Sequence, residues 1–402
     1  MTTAAPAQGR AETYDLIVVG AGPAGLGFVR ALEGCGLDIA VVERHPRSIL
    51  ADPPADGRDI ALTHRSEGIL RDLDIWPRIP AAEVSCVRHA KVVNGQSAYA
   101  LHFDHRDSGK DYLGRIVANN LIRRAAYAAA REVAGVEVID GRSVVAAGAD
   151  EERAWALLDD GRRLQARLLV AADSRFSETR RRFGIAARMR DFGRSCIVCR
   201  MAHDEDHGDT AFECFHYGRT LAVLPLTGRR SSVVVTLPSD SVAEVLAMDE
   251  EAFGRDIARR FAERLGAMRL LGERHVYPLV AVYADRFCGR RFAAIGDAAV
   301  GMHPVTAHGF NLGLRGAALL AREIRAARAR DGDIGAAGGL RRYHLAHDRA
   351  ARPIYLGTNL LVGLYTDDRP PARFARDALL HLGNLLRPAR HAILRQLTDE
   401  AA

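Results

Sequence analysis

Tyr14-Asp-Leu-Ile-Val-Val-Gly20-Ala-Gly-Pro-Ala-Gly25 is the stretch that decides the fold. Its apolar first half reads as a strand buried on both faces. Gly20, Gly22 and Gly25 follow at G-x-G-x-x-G spacing. Such glycines permit a tight turn, close backbone approach to a pyrophosphate, and tight packing of the next helix on the strand. Leu26, Val29 and Leu32 continue at helical spacing, and Gly34 and Gly36 stop the helix. Residues 38–42 form a second expected strand ending at Glu43, 23 positions after Gly20. An acid about 20 residues on binds ribose hydroxyls in dinucleotide folds. Arg44 follows it and is placed in the same nucleotide site. The glycines alone would be a weak signal. Strand, turn, helix, strand and acid together predict a dinucleotide-binding α/β unit.

The remaining composition narrows the class. At 402 residues the chain suits two interlocked domains or one large domain with an excursion. The net charge is +6, yet Lys91 and Lys110 are its only lysines. The scattered arginines read as compositional bias and argue against nucleic-acid binding. Cys35, Cys86, Cys196, Cys199, Cys214 and Cys288 are too dispersed for a disulfide framework. Cys196-Ile-Val-Cys199 has redox spacing but lies in a β segment, where residues three apart point to opposite faces. No metal site is expected. Neither a signal-peptide pattern nor an apolar run of about 18 residues is present, so a cytoplasmic location is the default expectation.

A second chemical stretch spans residues 292–315. Its apolar start, 292–295, reads as a buried parallel strand ending at Gly296 and Asp297. Ligands of open α/β sheets bind at such strand ends, and a carboxylate there can accept hydrogen bonds from hydroxyls. His303-Pro304 predicts an extended turn. Gly309 and Gly313 flank a helical pattern beginning near Phe310, whose N-terminus would favour an anion.

Residues 296–311 resemble the flavin-binding signature of the group A aromatic hydroxylases, the para-hydroxybenzoate hydroxylase-like flavoproteins. They look closest to the ubiquinone-biosynthesis hydroxylases. The family pattern is roughly G-D-A-A-H-x-x-x-P-x-x-G-Q-G-x-N. Gly296, Asp297, Pro304, Gly309 and Asn311 match it, Val300 replaces the histidine, and Ala307-His308-Gly309 replaces Gly-Gln-Gly. Three further segments are similar: Asp56-Gly-Arg58-Asp-Ile-Ala-Leu62, Leu113-Gly-Arg-Ile-Val-Ala-Asn119, and Ala172-Asp173-Ser-Arg-Phe-Ser-Glu-Thr-Arg180. Residues 56–70, 172–182 and 365–371 look most like the UbiM type, whose members are named as demethoxyubiquinol hydroxylases. The resemblance implies an α/β fold with a Rossmann-like FAD-binding domain (14–83, 107–186 and 285–334). An inserted β-sheet substrate domain (84–106 and 187–284) and a helical C-terminal region (335–402) complete it. It implies one bound FAD, with Arg58, Asn119 and Asp173 at the cofactor besides the residues named above. A surface ion pair for Arg58 and helix N-caps for Asn119 and Asp173 are the structural alternatives.

The implied reaction is hydroxylation of an electron-rich aromatic ring through a flavin C4a-hydroperoxide, with O₂ as co-substrate and NAD(P)H or another donor as reductant. The implied substrate is a polyprenyl phenol or quinol of ubiquinone biosynthesis. His308, His216 and Tyr217 are candidates to orient the phenol. A flavin hydroxylase of a soluble aromatic metabolite, and a flavin-bearing non-catalytic subunit of a quinone-synthesis complex, remain as alternatives, and a homodimer is left open. Trp76 and Trp155 stand alone, so the W-x-W-x-x-P pattern of flavin halogenases is missing.

Within the inserted domain, residues 196–201, 210–216, 220–226 and 231–237 read as strands and 248–265 as one helix. Residues 84–103 are expected to join that sheet through a turn at Asn94-Gly95. Residues 154–158 and 164–172 are expected to pair through Asp160-Gly161. Helix is expected at 66–73, 121–133 and 317–329, loop at 332–339, and further helix to 397, broken at Pro353, Pro370-Pro371 and Pro388. Leu379, Leu382, Leu385, Leu386, Ile393, Leu394 and Leu397 form an apolar stripe with Arg387, Arg390 and Arg395 between them. That stripe suits peripheral contact with an anionic membrane or packing on protein.

Overall fold

The computed structural model describes residues 11–94, 100–216, 219–303 and 308–366. A six-stranded sheet lies at the centre of one layer. Its order is Cys288–Gly289, Phe292–Ala294, Leu168–Ala171, Leu16–Val19, Ile39–Glu43, Val136–Asp140. The last five strands pair in parallel. Leu16, Ile17 and Val18 have no exposed surface, as do Phe292, Ala293 and Ala294. Continuous apolar runs suit a parallel sheet covered on both faces. The helices Pro23–Arg30, Asn119–Ala130 and His308–Arg328 contribute buried side chains to the same core.

The second layer is an eight-stranded sheet. It runs Val300–Gly301, Met268–Ala284, Ala187–His203, Arg230–Pro238, Arg219–Leu226, Thr210–His216, His89–Asn94, Ala100–Asp104. One face packs Phe253, Ile257 and Phe261 of the helical segment over Cys199, Cys214, Leu221 and Val235. A three-stranded sheet, Asp59–Leu62, Gly114–Ala118 and Ser85–Val87, bridges the two layers. Ala61, Ile116 and Val87 pack there with Leu101, Phe103, Leu224 and Leu226 of the large sheet.

Several expectations change in detail. The helix expected over 248–265 is the shorter Glu250–Arg260, started by the Asp249 carboxylate, which accepts from Ala252 N–H at 2.7 Å, and a separate helix, Val242–Leu246, precedes it. The strand expected over 164–172 also divides. Arg163–Ala166 makes the hairpin with Ala154–Leu158, while Leu168–Ala171 enters the central sheet. The 196–201 strand extends to Ala187–His203, and Met268–Ala284 is a strand of 17 residues that alternation alone did not mark. The helical pattern expected from near Phe310 and the 317–329 segment form one helix, His308–Arg328, and Pro353 lies inside helix Ala337–Thr366 rather than ending it. Gly95 of the expected turn and residues 370–397 lie outside the described residues.

Candidate active site

The site is built first from backbone. Gly20 sits at φ +106°, and a Cβ there would lie 2.5 Å from the Ala172 carbonyl oxygen. A Cβ at Gly25 would meet the Gly20 carbonyl oxygen at 2.1 Å. At Gly22 a Cβ would meet nothing within 4 Å. So Gly20 and Gly25 serve packing, whereas Gly22 leaves space beside a helix N-terminus that no side chain caps. Glu43 closes the turn: Ala21 N–H donates to its Oε2 at 2.8 Å and His45 N–H to its Oε1 at 3.0 Å. Arg44 is exposed beside it.

The 173–180 segment converges from the neighbouring strand. Asp173 Oδ2 accepts from Thr179 Oγ1 at 3.1 Å, while its Oδ1 is buried with no hydrogen-bond partner. Ser177 caps the short helix Glu178–Arg182, so Asp173 is not its N-cap. The buried Arg180 guanidinium donates to the Ala298 carbonyl oxygen at 2.8 Å, tying this segment to Gly296–Ala298. Burial pushes that guanidinium below its ordinary value.

Asp297 follows strand Phe292–Ala294. Arg175 donates to its Oδ2 from Nη2 at 3.0 Å and Nε at 3.2 Å, and to the Val280 carbonyl oxygen from Nη1 at 3.0 Å. Gly296 takes φ +59°, and Gly313 lets the following helix approach it, with a Cβ there lying 3.2 Å from Gly296 Cα. His308 is buried at the start of that helix, and Gly309 and Phe310 are half-buried. Asn311 Nδ2 donates to the Ala61 carbonyl oxygen at 2.9 Å and its Oδ1 accepts from Thr63 N–H at 3.2 Å. That side chain holds the bridging sheet against the helix.

Arg58 and Asn119 converge on Asp56 rather than standing apart. Arg58 Nη2 donates to Asp56 Oδ2 at 2.6 Å, and Asn119 Nδ2 donates to the same oxygen at 2.7 Å. Although desolvated, the Asp56 carboxyl is held below its ordinary value by these donors. Arg58 also lies 5.3 Å from the Tyr277 ring centre, and Tyr277 donates to the Asp56 carbonyl oxygen at 2.7 Å. Asn119 is the first residue of its helix and caps nothing, Ala118 being the cap residue. Pro304, Tyr217 and the His216 side chain lie outside the described residues.

Sequence reasoning missed two partners. Arg175 lies inside a quoted segment, but its pairing with Asp297 joins turns far apart in sequence. His303 was read only for the turn it makes with Pro304. It is buried edge-on to Phe192, with ring centres 5.0 Å apart, and burial with Arg194 and Arg175 nearby pushes it down to about 4, so it is neutral at pH 7. Cys196 and Cys199 do fall in different cores, and burial pushes their thiols up to about 11 and about 12. At the far sheet edge His89, His102 and Asp104 come together, but Arg106 already engages both oxygens of Asp104, at 2.6 and 3.0 Å.

An extended FAD fits this arrangement. Gly22 gives room for a pyrophosphate at a helix N-terminus, Glu43 marks the ribose position, and the partnerless Asp173 Oδ1 awaits a donor. A protein-family model described as an FAD binding domain matches residues 13–351. The ubiquinone hydroxylase UbiM of Neisseria meningitidis is 45% identical over 96% of this chain and 84% of its own length. The ubiquinone hydroxylase UbiL of Rhodospirillum rubrum is 32% identical over 92% of this chain and 86% of its own. This chain belongs to the FAD-dependent ubiquinone hydroxylase family. The family's fold extends to p-nitrophenol 4-monooxygenase PnpA of Pseudomonas putida. Its structure superposes with a TM-score of 0.78 at 18% identity, covering 97% of this chain and 100% of that one. FAD is the family's cofactor.

Proposed function

We propose that the protein is an FAD-dependent monooxygenase that hydroxylates an electron-rich aromatic ring, a polyprenyl phenol or quinol of ubiquinone biosynthesis. The supporting observation is the pairing of a complete dinucleotide cradle with a largely apolar sheet face across the 56–63 segment. Bound FAD, once reduced by NAD(P)H or another carrier, supplies the oxygen-activating chemistry. The chain's own residues bind and exclude water. Gly20, Gly22, Gly25, Glu43, Arg44 and Asp173 hold the dinucleotide half. Gly296, Asp297, Pro304, Gly309, Phe310 and Asn311 shape the ring half, with Arg58 and Asn119 acting through Asp56. His308 sits where the helix begins and is assigned to the ring or substrate side. The domain division proposed with this role keeps FAD on residues 14–83, 107–186 and 285–334, and substrate on 84–106 and 187–284. Quinone profiling by mass spectrometry in a strain lacking the protein tests the reading. An accumulating under-hydroxylated ring is expected, and an unchanged quinone profile would overturn it.

A polyprenylated substrate resides in a bilayer, which supports a working position at a membrane surface. No helix among the described residues is long and apolar enough to cross one. Leu356 and Leu360, one turn apart on the helix leading toward the C-terminal stripe, are 58% and 76% exposed. This supports surface contact. Truncation after Ala378 should leave a flavin-loaded protein that no longer pellets with anionic vesicles; equal pelleting would reject the stripe as the anchor.

A further inference from the structure

One row of side chains crosses the large sheet on the face turned toward the FAD-binding layer. In register it reads Val92, Glu213, Ala222, Val234, Val198, His275. Paired residues in a sheet project to the same face, as do alternate residues along each strand. At one end the row meets residues 56–58: a Cβ on Gly57 would lie 2.5 Å from the His275 ring. The next row carries Ala90, Ala211 and Leu224, which pack with Ala61. Ala61 is in turn held by Asn311 at the start of the cofactor helix. Glu213 therefore stands in one of two adjacent rows that both touch the segment separating sheet and cofactor, two residues along its strand from Ala211.

Its surroundings do not answer its charge. Val92, Ala222 and Val234 are apolar, and among the described residues no hydrogen bond or ion pair reaches the carboxyl. The side chain is half-buried, and burial alone pushes it up to about 8. The other ionisable groups here have their own arrangements. Arg200 pairs with Asp59 at 2.5 Å, Arg58 with Asp56 at 2.6 Å, and Tyr277 with the Asp56 backbone. His275 is the remaining titratable group of the row, and neither it nor any of those pairs contributes to the shift. A desolvated acid without a partner costs stability, and such groups concentrate where a ligand completes them.

We propose that Glu213 is a catalytic residue that binds the ring hydroxyl of the aromatic substrate and holds its proton during oxygenation. The inference rests on the hydroxylase reading above. The carboxylate Oε accepts the phenol O–H proton, leaving the ring electron-rich. The two electrons held by reduced FAD let the O–O bond of the activated dioxygen break as the ring carbon–oxygen bond forms, the second oxygen leaving with that bond's electron pair and ending as water. The hydrogen on the oxygenated carbon then leaves as a proton to water while Glu213 returns its proton to the phenol oxygen, so Glu213 ends as it began. A phenol titrates near 10. A carboxyl in the upper range is closer to it than an ordinary glutamate, which suits proton sharing.

The test uses FAD-loaded protein, 2-prenylphenol as probe, and the variants Glu213→Gln and Glu213→Asp. Probe affinity is read from flavin absorbance between pH 6 and 9, and hydroxylated product from single turnovers of the photoreduced protein in O₂. The wild type should bind the probe roughly 5-fold more tightly above pH 8 than at pH 6, because a charged acceptor makes the stronger hydrogen bond. Glu213→Gln should keep FAD, show no pH dependence of probe affinity, and lose about 100-fold in hydroxylation with oxygen released as peroxide. Glu213→Asp should recover part of that loss. Equal pH dependence in wild type and Glu213→Gln would overturn the assignment, as would wild-type hydroxylation by Glu213→Gln. Should the wild type bind with the expected pH dependence yet hydroxylate no phenol, the hydroxylase reading fails while the assignment of Glu213 as the hydroxyl-binding group stands.

Discussion

The turn after Val19 and the face of the eight-stranded sheet serve one site by different means. The turn is made of backbone. Its sequence signals run only from Gly20 to Glu43, and the close approaches at Gly20 and Gly25 are to the main-chain carbonyl groups of Ala172 and Gly20. The sheet face is made of side chains gathered from strands between His89 and Ala284. A backbone site tolerates little substitution but reads any dinucleotide alike. A side-chain site can be rewritten residue by residue, which is how a shared cofactor fold changes its substrate.

The largest effects should come from breaking the turn. Gly25→Val places atoms within 2.1 Å of the Gly20 carbonyl oxygen, which neither chain can relieve. Purified protein, if soluble, should carry less than about a tenth of the wild-type FAD, a loss equivalent to about 1.4 kcal/mol or more. Gly22→Ala sharpens the point, since its Cβ meets no protein atom within 4 Å. The apoprotein should melt as the wild type does while FAD affinity falls. Equal losses of fold and cofactor in both variants would mean that Gly22 also serves packing.

Smaller losses should follow from side chains around the cradle. Glu43→Gln keeps the shape but weakens the two backbone hydrogen bonds that fix the turn. FAD release measured by fluorescence should show roughly 10-fold weaker binding, since hydrogen bonds to a charged group are worth about 1.5–3 kcal/mol and the amide retains part of that. Arg175→Ala frees Asp297 Oδ2 and the Val280 carbonyl oxygen. The pair is partly exposed, so the fold should persist and FAD affinity should change less than 10-fold. A larger loss would show that Arg175 contacts the cofactor itself.

The same contrast explains what was legible in the sequence. The glycine turn and Glu43 are fixed by spacing over a few dozen residues, and the strand end at Asp297 by one apolar run. Residues 187–203 and 268–284 were harder. Both are long antiparallel strands with one wetter half: Arg188, Met189 and Arg190 are exposed, as are Arg269, Leu271 and Gly272. Their alternation is interrupted by register shifts between Asp191 and Ser195 and between Val198 and Arg200. Arg58 and Asn119 were read for the cofactor because a family pattern marks them, yet their nearest partner is Asp56, a contact no spacing rule announces. Glu213 was invisible for a related reason. Within Thr-Ala-Phe-Glu-Cys-Phe-His it looks like the polar side of an alternating strand, and only register with Val92, Ala222 and Val234 shows that this side is turned inward.

The smallest effect should come from the sheet face, and its sign is the informative part. Glu213 titrates at about 8 in the folded protein against an ordinary 4.5. The folded state therefore holds this proton more tightly than the unfolded chain does. Its stabilising contribution is complete below pH 4.5 and is lost as the pH rises through about 8. Glutamine cannot ionise, so Glu213→Gln escapes that loss. Substrate-free, FAD-loaded wild type and Glu213→Gln should melt within a degree or so of each other near pH 5. Between pH 5 and 9 the variant should gain on the wild type by a few degrees in Tm. A difference that stays flat with pH would mean that the carboxyl is hydrated in the folded protein. A variant that becomes relatively weaker at high pH would mean that a cation answers Glu213 there. Either result would remove the contrast between an acid left for the substrate and an acid, such as Asp297, that the protein already pairs.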